Sequence, residues 1–179
     1  VDIDPSFPEE PPVDSDGDMP STWLSPDEAA RAARFVQAAH AWRYRAGRGR
    51  MREILAGYSG VDPAELVFDY NPQGKPSLAD GPTFNLSHAA GWAALVVSVE
   101  VITLGVDIEV LRPVEDAFAH RFFSSREYAT LSRLSPDRWL DGFFRCWTRK
   151  EAFIKACGLG LSMPLDSFDV TLTPDTPAR

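Results

Sequence analysis

An α+β fold arranged as two similar lobes follows from three features of the sequence. Each half of the chain reads as helix followed by strands. The helical stretches carry capping residues at their starts and glycine at their ends. The apolar runs between them have strand length and lie between turn residues. The 179 residues suffice for one sizeable core or two small subdomains sharing an interface, and 44% hydrophobic with 25% charged residues is an ordinary globular balance.

The opening is set apart by composition. Asp2, Asp4, Glu9, Glu10, Asp14, Asp16, Asp18, Asp27 and Glu28 all precede the first basic residue, Arg31, and five prolines lie among them by Pro20. Residues 1–21 are therefore expected to form a flexible acidic arm, too polar to pack. The formal net charge of -8 is concentrated there, so it says little about a ligand.

The first helix is expected to start at Ser25 as N-cap, with Pro26 in the first turn beside Asp27 and Glu28, and to run to about Trp42. A second is expected from about Ala46 to Tyr58, ahead of Gly60. Around their junction lies the one basic tract, Arg43, Arg45, Arg48, Arg50 and Arg52. An acidic chain with no further basic stripe argues against nucleic acid, and a small polyanionic ligand suits the tract better.

"ELVFDY" reads as a short strand and "NPQGKPSL" as a turn. "TFNLSH" is a strand running into the small residues Ala89, Ala90 and Gly91, and "WAALVVSVE" reads as a buried strand. "TLGVDIEVL" is a further strand, and "DAFAHRFFSSREYATLSRL" is helical with a second start at Ser124 or Ser125. "DRWLDGFFRCWTRKEAFIKACG" is a long helix ended by Gly158, and "LDSFDVTLT" a final strand. Cys146 and Cys157 are expected to be buried free thiols, as in a reducing compartment. No apolar run is long enough to span a bilayer, and the acidic start is unlike a signal peptide; a cytoplasmic protein without membrane contact is expected.

The chemistry lies in two short stretches. In "GVDIE" the strand period of two puts Asp107 and Glu109 on one face and Val106 and Ile108 toward the core. Paired carboxylates repel unless a cation joins them, and hard oxygen ligands suit Mg²⁺. In "WTRKEAFIK" Glu151 and Lys155 stand one helical turn apart; alone they read as a surface ion pair. Beside Asp107 and Glu109, however, Glu151 can complete a metal site and Lys155 can meet a phosphate held there. Trp147, Phe153 and Ile154 would anchor that helix in the core. His88, beside Ser87 at a strand end, can donate to another phosphate, and Lys75 sits in a Gly-Lys-Pro turn.

"GKP", "FNLSH", "GVDIE", "RFFSSREY" and "WTRKEAFIKACGLGLSMPLDSF" occur in that order. Together, over residues 22–170, they resemble the 4'-phosphopantetheinyl transferases of the surfactin-synthetase-activating type. The family pattern is G-(V/I)-D-x-E followed by W-(S/T)-x-K-E-(A/S)-x-x-K, and every fixed position is matched. Ala89 and Ala90 depart from the hydroxyl residue and glycine common after the histidine.

The resemblance implies transfer of phosphopantetheine from coenzyme A to a serine of an apo acyl or peptidyl carrier protein, releasing 3',5'-ADP. It implies Mg²⁺ held by Asp107, Glu109 and Glu151, and Lys155 on the bridging and leaving phosphate. Glu151, or a water on the metal, would deprotonate the serine. His88 and Arg52 would hold the 3'-phosphate, supplemented by Arg45 or Arg48, with Ser87 beside them; Lys75 and Pro76 would line the adenine end. Two lobes with pseudo-twofold symmetry are expected, residues 22–102 and 103–179, with coenzyme A in the cleft between them. The second is expected to be truncated, because relatives continue past "LDSF". A monomer is expected, with its carrier docking around Phe122 and Phe123. A Mg²⁺-dependent nucleotide pyrophosphate hydrolase needs the same residues but no acceptor. A non-catalytic coenzyme A or carrier-binding module would bind without turnover.

Overall fold

The computed structural model describes residues 23–173; the expected acidic arm lies outside them. The architecture is α+β, with five α-helices and two small two-stranded sheets among the described residues. No helix among them is long and apolar enough to cross a membrane. The chain divides into two compact units, one reaching Val67 and including Ala90–Trp92, the other Phe68–Ala89 with Ala93 onward. The expected lobe boundary at 102/103 falls inside the second unit.

In the first unit, α1 (Pro26–Ala32) starts as expected. Ser25 Oγ accepts from Glu28 N–H at 3.3 Å while the Glu28 carboxylate accepts from Ser25 N–H at 3.1 Å. The helix stops at Ala32, ten residues before Trp42, and α2 (Ala38–Ser59) runs unbroken through the whole basic tract. The tract contains no breaker, since arginine is a good helix former and the local cost of Gly47 and Gly49 is modest. The break at 33–37 instead brings the Phe35 ring to 5.5 Å from Tyr44. Gly60, at φ 71°, closes α2 in the left-handed conformation. Ala32, Met51, Leu55, Ala56 and Leu66 form the apolar core here.

In the second unit the strand expected over "ELVFDY" shrinks to β1 (Asp69–Tyr70), paired antiparallel with β2 (Pro76–Ser77). Pro63–Glu65 of the preceding stretch are a 3₁₀ turn capped by Asp62. β3 (Thr83–Ala89) and β4 (Trp92–Ser98) form the other sheet. They are joined through Ala90 at φ 49° and Gly91 at φ 98°, the positive pair a two-residue hairpin favours. β4 is not the buried strand its apolar run suggested: Trp92 and Ala93 are exposed and the remainder half-buried. A two-stranded sheet leaves a central-looking strand at an edge.

Two expected strands, "TLGVDIEVL" and "LDSFDVTLT", join no ladder among the described residues. The second opens with a 3₁₀ turn, Leu165–Ser167, and side chains then take over its backbone groups. Lys150 Nζ donates to Leu165 O and Phe168 O, both at 2.6 Å, and Glu127 Oε1 accepts from Val170 N–H at 2.6 Å. Buried Lys150 and Glu127 also pair with each other at 2.7 Å.

α3 (Asp116–Phe122), α4 (Ser125–Leu131) and α5 (Pro136–Cys157) follow the expected pattern. Ser124 and Glu127 make a second reciprocal cap, and Gly158 ends α5 at φ 69°. The core joins Ala119, Phe123, Leu131, Phe143, Phe144, Cys146 and Leu172, with Trp139 and Trp147 stacked on Phe143. Phe123 is therefore a core residue stacked at 5.1 Å on Phe143, not part of a docking pair with half-buried Phe122. Ile154 anchors α5 as expected, but Phe153 is 43% exposed, with its ring 4.7 Å from Phe168. Cys146 is buried, whereas Cys157, at the end of the helix, is exposed.

Candidate active site

Along β3 alternate residues share a face, and the one carrying Asn85 and Ser87 is polar and buried. Segment 104–110 lies against this face. Asn85 Oδ1 accepts from Val106 N–H at 2.9 Å and Ser87 Oγ from Ile108 N–H at 3.4 Å. Two side chains spaced by two thus satisfy two backbone donors spaced by two, which is why this extended segment needs no ladder. Val106 and Ile108 remain half-buried, as does Asp107, so burial does not separate two faces as the strand reading required.

On its other side the segment presses on α5. A Cβ at Gly105 would stand 1.8 Å from Ala152 O and 2.6 Å from Ala156 N, so only glycine allows this approach. The contact brings Asp107 to Lys155, whose Nζ donates to Asp107 Oδ1 at 2.6 Å and to Ser87 Oγ at 2.7 Å. Ser87 in turn donates to Asp107 Oδ1 at 2.9 Å. The Asp107 side chain is 5% exposed and Lys155 29%, and Asp107 Oδ2 is buried with no hydrogen-bond partner among the described residues.

Glu151 stands one turn before Lys155. Its carboxyl is pushed above the usual carboxylate range by burial, then by the negative charge of Asp107; Lys155 pulls it back and Glu109 pushes it up further. Glu109 is oriented by two donors, Trp147 Nε1 at 3.0 Å and Arg112 Nη1 at 3.2 Å. Among the described residues no three carboxylate, histidine or cysteine side chains are gathered closely enough to hold a metal ion by themselves. The chemistry of the donors nevertheless suits a hard divalent cation: Glu151 feels the negative charges of Asp107 and Glu109, and one oxygen of Asp107 is buried without a partner among the described residues.

The remaining expected site residues are placed differently. His88 is exposed and, one residue from Ser87, points to the other face of β3. Arg52 is 2% exposed, its Nε donating to Glu28 at 2.7 Å and Nη1 to Pro63 O and Leu66 O at 2.7 and 3.0 Å. Arg48 Nε lies 3.2 Å from the same carboxylate, and Arg45 is exposed. Pro76 is half-buried on β2. Lys75 donates to the carbonyls of Leu104 and Ala156, at 3.1 and 2.8 Å. Asn85, Arg112 and the indole of Trp147 are contributors that sequence reading missed. The alternation of Asn85 and Ser87 in "TFNLSH" was an available signal for the first; the Trp147–Glu109 bond spans 38 positions and left none.

Residues 103–179 match the model of the 4'-phosphopantetheinyl transferase superfamily. The chain is similar to the 4'-phosphopantetheinyl transferase HetI of Nostoc sp., 45% identical over 163 residues that cover 87% of this chain and 68% of that protein. It is similar to the 4'-phosphopantetheinyl transferase Sfp of Bacillus subtilis, 35% identical over 156 residues, 86% of this chain and 69% of Sfp. It is also similar to the 4'-phosphopantetheinyl transferase AcpT of Salmonella typhi, 42% identical over 107 residues, 58% of this chain and 55% of AcpT.

Proposed function

Because this chain belongs to the 4'-phosphopantetheinyl transferase superfamily, we propose that it moves the phosphopantetheine arm of coenzyme A onto a serine of an apo carrier protein. The observation that carries the reading is the cluster of Lys155, Asp107 and Ser87 beside a Glu151 of raised proton affinity.

The serine oxygen forms a bond to the phosphorus that bears the pantetheine arm. The bond from that phosphorus to the bridging oxygen breaks, and its electron pair leaves on 3',5'-ADP. Glu151, more basic than an ordinary carboxylate, takes the serine proton. The Lys155 ammonium faces the charge that accumulates on the leaving phosphate, and Ser87 and Asp107 hold it in place beforehand. Trp147 and Arg112 fix the orientation of Glu109. Asp107, Glu109 and Glu151 would hold Mg²⁺, which when bound neutralises the pyrophosphate and strengthens its phosphorus as an electrophile.

For the 3'-phosphate we propose His88, which is exposed. Arg52 keeps the structural duty that its bonds to Glu28, Pro63 and Leu66 describe. Pro76 is assigned to the adenine end. Two similar lobes, a coenzyme A cleft between them and action as a monomer belong to the same proposal and rest on family membership.

The test is to incubate the protein with coenzyme A, Mg²⁺ and a panel of apo carrier proteins, with Glu151→Gln in parallel, and weigh the carriers intact. A gain of one phosphopantetheine that disappears in the variant is expected. No gain on any carrier would overturn the reading, and ADP release without an acceptor would point to a hydrolase instead.

A further inference from the structure

The turn at residues 71–75 lies far from the reacting groups in sequence, yet two of its polar side chains, Asn71 and Lys75, end on the last turn and the cap of the helix that carries Lys155. We propose that Lys75 is a positioning residue: its ammonium staples the segment bearing Asp107 to the end of α5, and Asn71 completes the joint. The proposal rests on the transferase reading for its functional consequence.

The geometry is specific. Lys75 Nζ donates to Ala156 O at 2.8 Å and to Leu104 O at 3.1 Å. Ala156 directly follows Lys155, and Leu104 directly precedes Gly105, where the segment meets α5. Asn71 Nδ2 donates to Gly158 O at 2.7 Å. The last carbonyls of a helix have no partner within it and carry its negative end, so an ammonium and an amide donor there complement both hydrogen bonding and charge.

The turn is itself held firmly. Asn71 Oδ1 accepts from the backbone N–H of Gln73 and of Lys75, at 3.0 and 2.8 Å. Asn71 N–H donates to Lys75 O and Gly74 N–H to Asn71 O, and Gly74 at φ 85° permits the bend. At the helix end, a Cβ on Gly158 would stand 2.9 Å from Asn71 Nδ2 and 3.3 Å from Lys75 Cδ, so the close seat again relies on glycine. Burial pushes the Lys75 ammonium below the usual lysine range, with the neighbouring Cys157 opposing that shift.

An ammonium has three N–H donors, and two of these already end on carbonyls. This differs from the expectation that Lys75 serves the adenine end of coenzyme A. A nucleotide ligand would act on affinity, whereas a staple acts on the alignment of Asp107 Oδ1 and Lys155 Nζ, 2.6 Å apart. Its loss should therefore appear in kcat.

The experiment compares wild type with Lys75→Met, which keeps chain length but removes the donors, and with Asn71→Asp, which keeps the turn's acceptor but loses the donor to Gly158. Steady-state kinetics with an apo carrier, calorimetric affinity for 3',5'-ADP, and hydrogen exchange at the amides of Val106, Ile108 and Gly158 are measured. For Lys75→Met a fall in kcat of about tenfold or more is expected, with nucleotide affinity and KM for coenzyme A near wild type and faster exchange at all three amides. Asn71→Asp is expected to show the same pattern more weakly, and Lys75→Gln, which restores an uncharged donor, to recover part of kcat.

Weakened 3',5'-ADP binding with unchanged exchange would overturn the staple and make Lys75 a nucleotide ligand. Unchanged exchange alone would also overturn it. Should the wild-type protein modify no carrier, the transferase reading falls, while exchange and nucleotide binding still judge the staple by themselves.

Discussion

Replacing Gly105 by alanine tests whether the site depends on a backbone approach that tolerates no side chain. The φ of Gly105 is not in the left-handed region, so alanine can adopt the same backbone and the demand is for space alone. The added carbon would sit 1.8 Å from Ala152 O, with Ala156 N at 2.6 Å and Ala152 C at 2.9 Å. All three are backbone atoms of α5, and no side chain can rotate away to make room. Restoring an ordinary contact of about 3.4 Å requires the segment to retreat by roughly 1.5 Å. Asp107, two residues on, would then lie too far from Lys155 Nζ for the 2.6 Å bond to survive. A misplacement of about 1 Å is enough for a loss of about 10²-fold in rate, so kcat for carrier modification should fall at least that far. Overpacking of this kind costs about 1–3 kcal/mol, a drop in Tm of several degrees at about 2–4 °C per kcal/mol. Intact-mass rates and thermal melts measure both. Gly57→Ala is the control: it lies inside α2 with nothing within 4 Å of the added carbon, and should be neutral or stabilise by up to about 1 kcal/mol. A Gly105→Ala protein with wild-type kcat and Tm would refute the close-approach argument.

Three other outcomes are expected. The raised Glu151 carboxyl retains its proton in the folded state to higher pH than in the unfolded chain. Its contribution is thus intact below the unfolded value and lost as pH rises through the folded one. In Mg²⁺-free buffer, urea midpoints of Glu151→Gln and wild type should agree in acid and diverge in favour of the variant toward neutral pH, with added Mg²⁺ closing the gap; parallel profiles would contradict this. Lys150→Ala strands a buried Glu127 and should cost about 3–5 kcal/mol in denaturant unfolding, part of it recovered by adding Glu127→Gln. A thiol reagent should label exposed Cys157 in the native protein and reach Cys146 only on unfolding. Burial, and after it the charge of Glu127, push the Cys146 thiol far up.

The sequence alone determined what depends on neighbours a few positions apart. Ser25 with Glu28, Ser124 with Glu127, and the left-handed Gly60 and Gly158 mark helix ends through contacts within one turn, and each was legible. So was the placing of Glu151 and Lys155 on α5, because helical spacing is a local property. Tertiary structure decided where α1 stops, since nothing between Ala32 and Ala38 breaks a helix by itself. It also decided the fate of "TLGVDIEVL" and "LDSFDVTLT". Both have strand-like patterns, but Asn85, Ser87, Lys150 and Glu127 satisfy their backbone groups in place of a neighbouring strand. The same holds for charge. Arg52 reads as a phosphate ligand until Glu28 is found 24 positions away, and Lys75 as an exposed turn residue until its partner carbonyl appears 81 positions on. A side chain's donors go to whichever acceptor the fold brings near, and long-range partners of that kind leave no periodicity in the sequence.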